Sequence, residues 1–255
     1  VPKFTHAFVP KGRHDQHFLA DKRVMHRIIE YADLKKTDTI LEIGAGDGGL
    51  TRELSKYAGH VVAVESDNIL AEILKEEFES TNVDIIHTDA LKLEFPAFNK
   101  VVSNLPYSIS SEITFKLLSY DFEFAILMYQ KEFADRMVAK TGIKDYSRLT
   151  VNVGYMADCE ILETVPKGAF RPPPEVKSAI IRLVPRPPIY PALNEKLFRQ
   201  IVDLAFTMRR KKMKNCLRRI CTDIDALPSN LLDKRPEQLE IKDFVDLSNI
   251  IDTLK

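Results

Sequence analysis

The run Leu41-Glu42-Ile43-Gly44-Ala45-Gly46-Asp47-Gly48-Gly49 follows an apolar, β-branched stretch and precedes residues at helical spacing. Glycines suit such a strand-to-helix junction. The chain turns sharply there, and a ligand can approach the backbone and face the amides of the helix N-terminus. Glu65 ends the next β-branched run roughly 20 residues later, where a carboxylate can accept the two hydroxyls of a ribose. The glycines alone leave the cofactor open. Gly44, Gly46 and Gly49 satisfy the GxGxxG of dinucleotide sites, while Glu42, Gly44, Gly46 and Gly48 satisfy the ExGxGxG of S-adenosylmethionine sites. Asp89 comes just past a third run, in the crevice of an open α/β sheet, where it can accept a hydrogen bond from an adenine amino group.

Ser103-Asn104-Leu105-Pro106-Tyr107, directly after a fourth run, narrows the choice. Methylating an exocyclic amine of a base is hindered because the nitrogen lone pair is delocalised into the ring. Two acceptors on the amino hydrogens let the nitrogen rehybridise and aim its lone pair at a sulfonium methyl. The side-chain oxygen of Asn104 and the main-chain carbonyl of Leu105 suit that task, with Pro106 stiffening the turn and Tyr107 stacking on a purine. The reaction is then an in-line displacement on carbon that depends on proximity, alignment and a site matched to spreading positive charge. Taken singly, an Asn-x-Pro turn is loop punctuation, Asp89 a helix cap and Glu65 a solvated strand end. In this order and spacing they read together as a methyl-transfer centre.

Such a centre needs a frame. From residue 39 to 184, short β-branched runs alternate with amphipathic stretches, the pattern of a mostly parallel sheet covered on both faces by helices. The predicted strands are 39–43, 61–65, 84–87, 100–103, 124–129, 149–155 and 176–184, and the predicted helices 22–32, 50–57, 68–79, 111–118 and 131–139. Pro185, Pro187, Pro188 and Pro191 mark a linker. Beyond it, residues 194–255 read as entirely helical, with Pro236 at a helix start. The predicted layout is a sheet domain over residues 1–184 and a small all-α domain over residues 185–255.

On these features the chain resembles the ribosomal RNA adenine N6,N6-dimethyltransferases, the family called after kasugamycin sensitivity, and reads closest to its archaeal members. The likeness spans nearly the whole length. It rests on Asp15-Gln16-His17-Phe18-Leu19, on residues 42–51, on Asn104-Leu105-Pro106-Tyr107-Ser108-Ile109-Ser110-Ser111, on Asp145-Tyr146-Ser147-Arg148-Leu149, on residues 169–179 and on the basic stretch from Ala205-Phe206. The resemblance implies an α/β, Rossmann-like fold with a seven-stranded sheet, and S-adenosyl-L-methionine as cofactor. It implies dimethylation of two adjacent adenines near the 3′ end of small-subunit RNA in an immature ribosomal particle. Gln16, His17 and Leu19 would then line the cofactor, Gly44 and Gly46 its methionine part, Glu65 its ribose, and Asp89 with Ala90 its adenine. Asn104 would face both the methionine part and the target base, and Phe170 matches the aromatic that closes over the flipped base opposite Tyr107. Asp15, Glu112 and Ser147 depart from the family pattern of Gly, Pro and Gly, which touches loop shape more than chemistry.

The charges sum to zero, 37 basic against 37 acidic, which excludes a uniformly basic coat for RNA. Arg209, Arg210, Lys211, Lys212 and Lys214, followed by Arg218 and Arg219, nonetheless fall together on one predicted helix, while acidic residues crowd positions 65–94. Such a helix suits a phosphate backbone and contributes salt-dependent affinity rather than base choice. Cys159, Cys216 and Cys221 show neither a disulfide framework nor zinc spacing, so no metal is expected. No apolar run approaches the roughly 20 residues of a membrane span, and a secretory signal pattern is lacking; a cytoplasmic monomer is expected. Three other readings compete: a large-subunit adenine methyltransferase of the macrolide-resistance type, a non-catalytic RNA-assembly or transcription factor with this fold, and an NAD dehydrogenase. Residues 170–179 and the helical tail favour the small-subunit reading over the first. The intact set of Glu65, Asp89 and Asn104 to Tyr107 argues against the second, and the dehydrogenase lacks a matching substrate site.

Overall fold

The alternation along residues 39–184 folds into a seven-stranded sheet in a computed structural model that describes residues 16–254. Asp15 lies outside the described residues. A short strand β1 (Phe18–Leu19) and helix α1 (Lys22–Ala32), capped by Asp21, lead into β2 (Thr39–Ile43). Then come α2 (Gly49–Tyr57), β3 (His60–Glu65), α3 (Asn68–Glu77), β4 (Val83–His87), β5 (Lys100–Asn104), α4 (Ser110–Leu117), β6 (Phe124–Gln130) and α5 (Lys131–Met137). Helix α6 (Arg148–Met156) precedes β7 (Ala157–Val165), β8 (Phe170–Arg171) and β9 (Ser178–Pro185). The strand order is β4-β3-β2-β5-β6-β9-β7, with β9 antiparallel to both neighbours. The direction of winding reverses between β2 and β5, so the crevice beyond their C-terminal ends is where an open α/β sheet receives a ligand. A separate two-stranded sheet pairs β1 with β8, Leu19 opposite Phe170.

Alternation within each strand divides the core. Ile40 packs with Val24, Ile28 and Leu54 from α1 and α2, whereas Leu41 and Ile43 pack with Ile113 and Leu117 from α4. Burying side chains of this size contributes roughly 1.5–3 kcal/mol each. Surface ion pairs such as Lys75–Glu72 contribute about 0–1 kcal/mol, so the two apolar layers hold the sheet.

Residues 149–155 are not the predicted strand but helix α6. Their β-branched run has a different origin: the helix is wedged between two cores. Leu149 and Val153 enter the sheet cluster, while Val151 and Tyr155, again four apart, enter the cluster of the C-terminal helices. A helix that buries both sides shows no amphipathic stripe and mimics a strand. Ser147, one of the departures, starts it: the Ser147 amide donates to Thr150 Oγ1 at 2.9 Å. Glu112 stands in the first turn of α4, where a carboxylate complements the helix dipole. The seventh strand is instead β7, at the sheet edge, with its alternation interrupted by an irregularity between Ile161 and Glu163.

The tail comprises α7 (Glu195–Thr207), α8 (Met213–Leu217), α9 (Ser229–Leu232) and α10 (Ile241–Thr253), joined by turns rather than forming a continuous helical stretch. The predicted basic helix is broken. Residues 208–212 form a turn between α7 and α8, which delivers Met213, Cys216 and Leu217 into the core. Arg209 to Lys212 offer nothing apolar to bury there. Pro236 opens a single 3-10 turn. Among the described residues no helix is long and apolar enough to cross a membrane.

The lower ends of β2 and β5 are pinned by one buried ion pair. Lys100 Nζ lies 2.8 Å from Asp38 Oδ2, with the side chains 2% and 5% exposed, and also donates to the Asp33 carbonyl. Lys100→Met strands the Asp38 carboxylate and should cost about 3–5 kcal/mol in denaturant unfolding. Lys100→Met combined with Asp38→Asn should recover part of that loss; no recovery would contradict a charge-compensation role.

Candidate active site

At the upper ends of the same two strands, the glycine turn and the Asn104 turn touch. Gly44 has φ +77°, and a Cβ there would sit 3.0 Å from Pro106 Cδ. Gly46 has φ +59°, and its Cβ would meet the Phe18 ring at 3.0 Å. Both positions require glycine for backbone shape and for space. The resulting backbone cradle is secured from β3, where the Val64 carbonyl accepts the Gly44 amide at 2.8 Å.

Glu65 closes the cradle from the side. Its Oε2 accepts the Gly46 amide and its Oε1 the amides of Ser66 and Asp67, all at 2.8 Å. A carboxylate oxygen has about two acceptor positions. Oε2 therefore keeps one acceptor position open. Glu42, on the same side of β2 as Ile40, also lines the cavity but is buried, and Thr51 Oγ1 donates to its Oε2 at 2.6 Å. Burial, reinforced by the nearby Glu65 and Asp47 carboxylates, pushes the Glu42 carboxyl up to about 8 despite that hydrogen bond.

Past β4, Asp89 Oδ1 accepts the Leu91 amide at 2.9 Å, so the residue is a turn cap and a cavity wall at once. Ala90 beside it is buried. At the end of β5, Asn104 Nδ2 donates to the His17 carbonyl at 3.1 Å. A carbonyl only accepts, which fixes the amide orientation, and among the described residues no donor reaches Asn104 Oδ1. His17 is itself held, Nδ1 donating to the Pro172 carbonyl at 2.9 Å, and its ring lies 5.8 Å from that of Tyr107. The Tyr107 hydroxyl meets Ser178 Oγ, fully buried on β9, at 2.6 Å.

These groups surround one cavity of about 620 Å³. Gln16, His17, Leu19, Gly44, Gly46, Glu65, Asp89, Ala90, Asn104, Leu105, Pro106 and Tyr107 all line it. Phe170 does not. It is 2% exposed, lies in the core with Leu19 and belongs to β8, whose pairing with β1 turns the ring inward. Sequence reasoning also missed Phe18 and Ser178. Phe18 sits inside a block already singled out, between two assigned residues; nothing in the sequence marks Ser178 as the partner of Tyr107, since 71 residues separate them.

The basic residues divide as well. Arg209 Nε lies 3.8 Å from Glu237 and its guanidinium donates to the Lys144 carbonyl, and both Lys212 and Lys214 pair with Asp233. Those three are partly neutralised within the fold. Arg210, Lys211, Arg218 and Arg219 have no ion-pair partner among the described residues, and the last two lie just past α8.

A winding reversal above β2 and β5, a glycine cradle braced by Glu65 and an amide acceptor beside it define a Rossmann-like methyltransferase of the S-adenosylmethionine-dependent class. Residues 9–253 match the family model described as ribosomal RNA adenine dimethylase. A probable ribosomal RNA small subunit methyltransferase A of Methanosarcina acetivorans is 49% identical over 96% of this chain and 94% of its own length, and its counterpart in Methanothermobacter thermautotrophicus is 46% identical over 94% and 90%. The crystal structure of a dimethyladenosine transferase from Plasmodium falciparum superimposes with a TM-score of 0.78 at 30% identity, covering 91% of this chain and 96% of that one. The 23S rRNA methyltransferase ErmE gives 0.71 at 30% identity, covering 92% and 99%. The chain belongs to the ribosomal RNA adenine dimethylase family, whose activity is S-adenosylmethionine-dependent N6-dimethylation of rRNA adenine. The residues present fit that cofactor: a Cβ at Gly44 or Gly46 would fill the cradle, and Oε2 of Glu65 retains an acceptor position.

The raised Glu42 carboxyl gives a pH signature. Between about pH 4.5 and 8 the folded chain binds a proton that the unfolded chain releases, so this group's contribution to stability falls across that window. Glu42→Gln removes the fall. The thermal midpoint of the variant minus that of the native chain should grow from pH 5 to pH 8 and then level; a difference independent of pH would contradict the neutral carboxyl.

Proposed function

We propose that this chain dimethylates N6 of two adjacent adenines near the 3′ end of small-subunit rRNA, in an immature ribosomal particle, as a cytoplasmic monomer. The small-subunit reading is supported by the names of the archaeal relatives at 46–49% identity, against 30% for the large-subunit enzyme. The observation that carries the chemistry is the Asn104 amide, tied by its nitrogen to His17 and, among the described residues, without a donor on its oxygen.

S-adenosylmethionine, when bound, supplies a sulfonium methyl open to in-line attack. Glu65 and Asp89 hold its ribose and adenine, and the Gly44 to Gly46 backbone lies along the remainder. Asn104 Oδ1 and the Leu105 carbonyl accept the two hydrogens of the target N6, which concentrates the lone pair on nitrogen. Pro106, packed on the glycine turn, sets the distance between the two halves. Tyr107 stacks on the target adenine with its ring held by Ser178. Phe170 takes part only through a movement out of the core. Residues 185–255 grip the particle away from the reacting atoms, chiefly through Arg210, Lys211, Arg218 and Arg219, which have no ion-pair partner among the described residues.

Purified enzyme with labelled S-adenosylmethionine should place four methyl groups on two adjacent adenines of immature small subunits, mapped by mass spectrometry, and Asn104→Ala should abolish nearly all of them while RNA still binds. Label on large subunits alone would overturn the assignment. Replacing Arg210 and Lys211 with Gln should weaken RNA binding and lower its salt slope by about 1–2, more than replacing Lys212 and Lys214. Equal effects would refute the distinction between paired and unpaired charges.

A further inference from the structure

The loop that follows β4 is tethered to α4, and the tether is one side chain. Lys116 Nζ donates to the carbonyls of Ala90, Leu91 and Leu93 at 3.0, 2.9 and 2.5 Å. It also lies 4.8 Å from the centre of the Phe95 ring. Three carbonyl dipoles converging on one point repel one another, and a cation is what makes the arrangement favourable. The loop has other fastenings: the Thr88 amide donates to the Glu65 carbonyl at 2.9 Å, Asp89 caps its own turn, and Tyr120 accepts the Phe95 amide while donating to Glu94.

Two residues of this loop, Asp89 and Ala90, form the cavity wall assigned to the cofactor adenine. Lys116 itself does not line the cavity, and it stands on the helix that begins three residues after Tyr107. We propose that Lys116 is a positioning residue for the cofactor: its ammonium gathers the loop carbonyls so that Asp89 and Ala90 meet the adenine in fixed geometry. The proposal rests on the assignment of Asp89 to that adenine. It also makes α4 a common support for the cofactor loop and the target-base turn.

Calorimetric titration with S-adenosylmethionine, and with 5′-methylthioadenosine as a probe lacking the amino-acid end, tests it on the full chain. Lys116→Met should raise Kd for both ligands about tenfold and leave RNA affinity unchanged, whereas Lys116→Arg, which keeps the cation, should restore most of the affinity. In an Asp89→Ala background, Lys116→Met should add little, because the two residues act through one contact. If Asp89→Ala weakens both ligands but Lys116→Met does not, or if the two losses add fully, the positioning role is overturned and the adenine site stands. If Asp89→Ala itself changes neither affinity, the adenine assignment fails and the proposal with it.

Discussion

The hydrogen bond from Asn104 Nδ2 to the His17 carbonyl decides which end of an amide faces the cavity, and through it which chemistry the cavity can perform. With the nitrogen turned inward, the site would offer donors to an amine that has hydrogens to give, and no activation would follow. The orientation requires that residue 17 be present beside β5. That position depends on β1 pairing with β8 and on the His17 ring donating to Pro172, so a segment more than 80 residues upstream completes the target turn.

A second constraint is the contact between turns. Gly44 and Pro106 approach so closely that a single added methyl would separate them, and each turn is the end of a central strand. The sheet therefore sets the distance between the two turns, which on the proposed reading is the distance between cofactor and base, as directly as it sets its own register. Glu65 reinforces this from β3 by holding three amides, which makes it a structural brace before any ligand arrives. Most of its acceptor capacity is spent on shape.

Much of this was legible in the sequence because local chemistry and periodicity coincide at the strand ends. The glycine run, Glu65, Asp89 and Asn104 to Tyr107 each follow a clear β-branched run, so order along the chain converts to position around one crevice. Where the reading failed, a long-range partner outweighed the local pattern. Residues 149–155 look like a strand because both sides of α6 are buried, and the second core that buries one of them lies beyond the proline linker. That core also takes in Tyr146 and Tyr155, so the sheet region and the tail are packed together. The resemblance sets Phe170 opposite Tyr107, but its pairing with Leu19 governs where the ring goes. The basic run looks helical by its charge alone, whereas the burial of Met213 and Leu217 on its flank and the acidic partners Asp233 and Glu237 turn the chain there.

A structure of the enzyme with S-adenosylhomocysteine and a short adenine-containing RNA would test the central claim most directly. The account predicts the target N6 within about 3 Å of Asn104 Oδ1 and of the Leu105 carbonyl, with Asn104 Nδ2 still on His17 and the purine stacked on Tyr107. A target N6 facing Nδ2, or an Asn104 amide released from His17 and turned about, would contradict it.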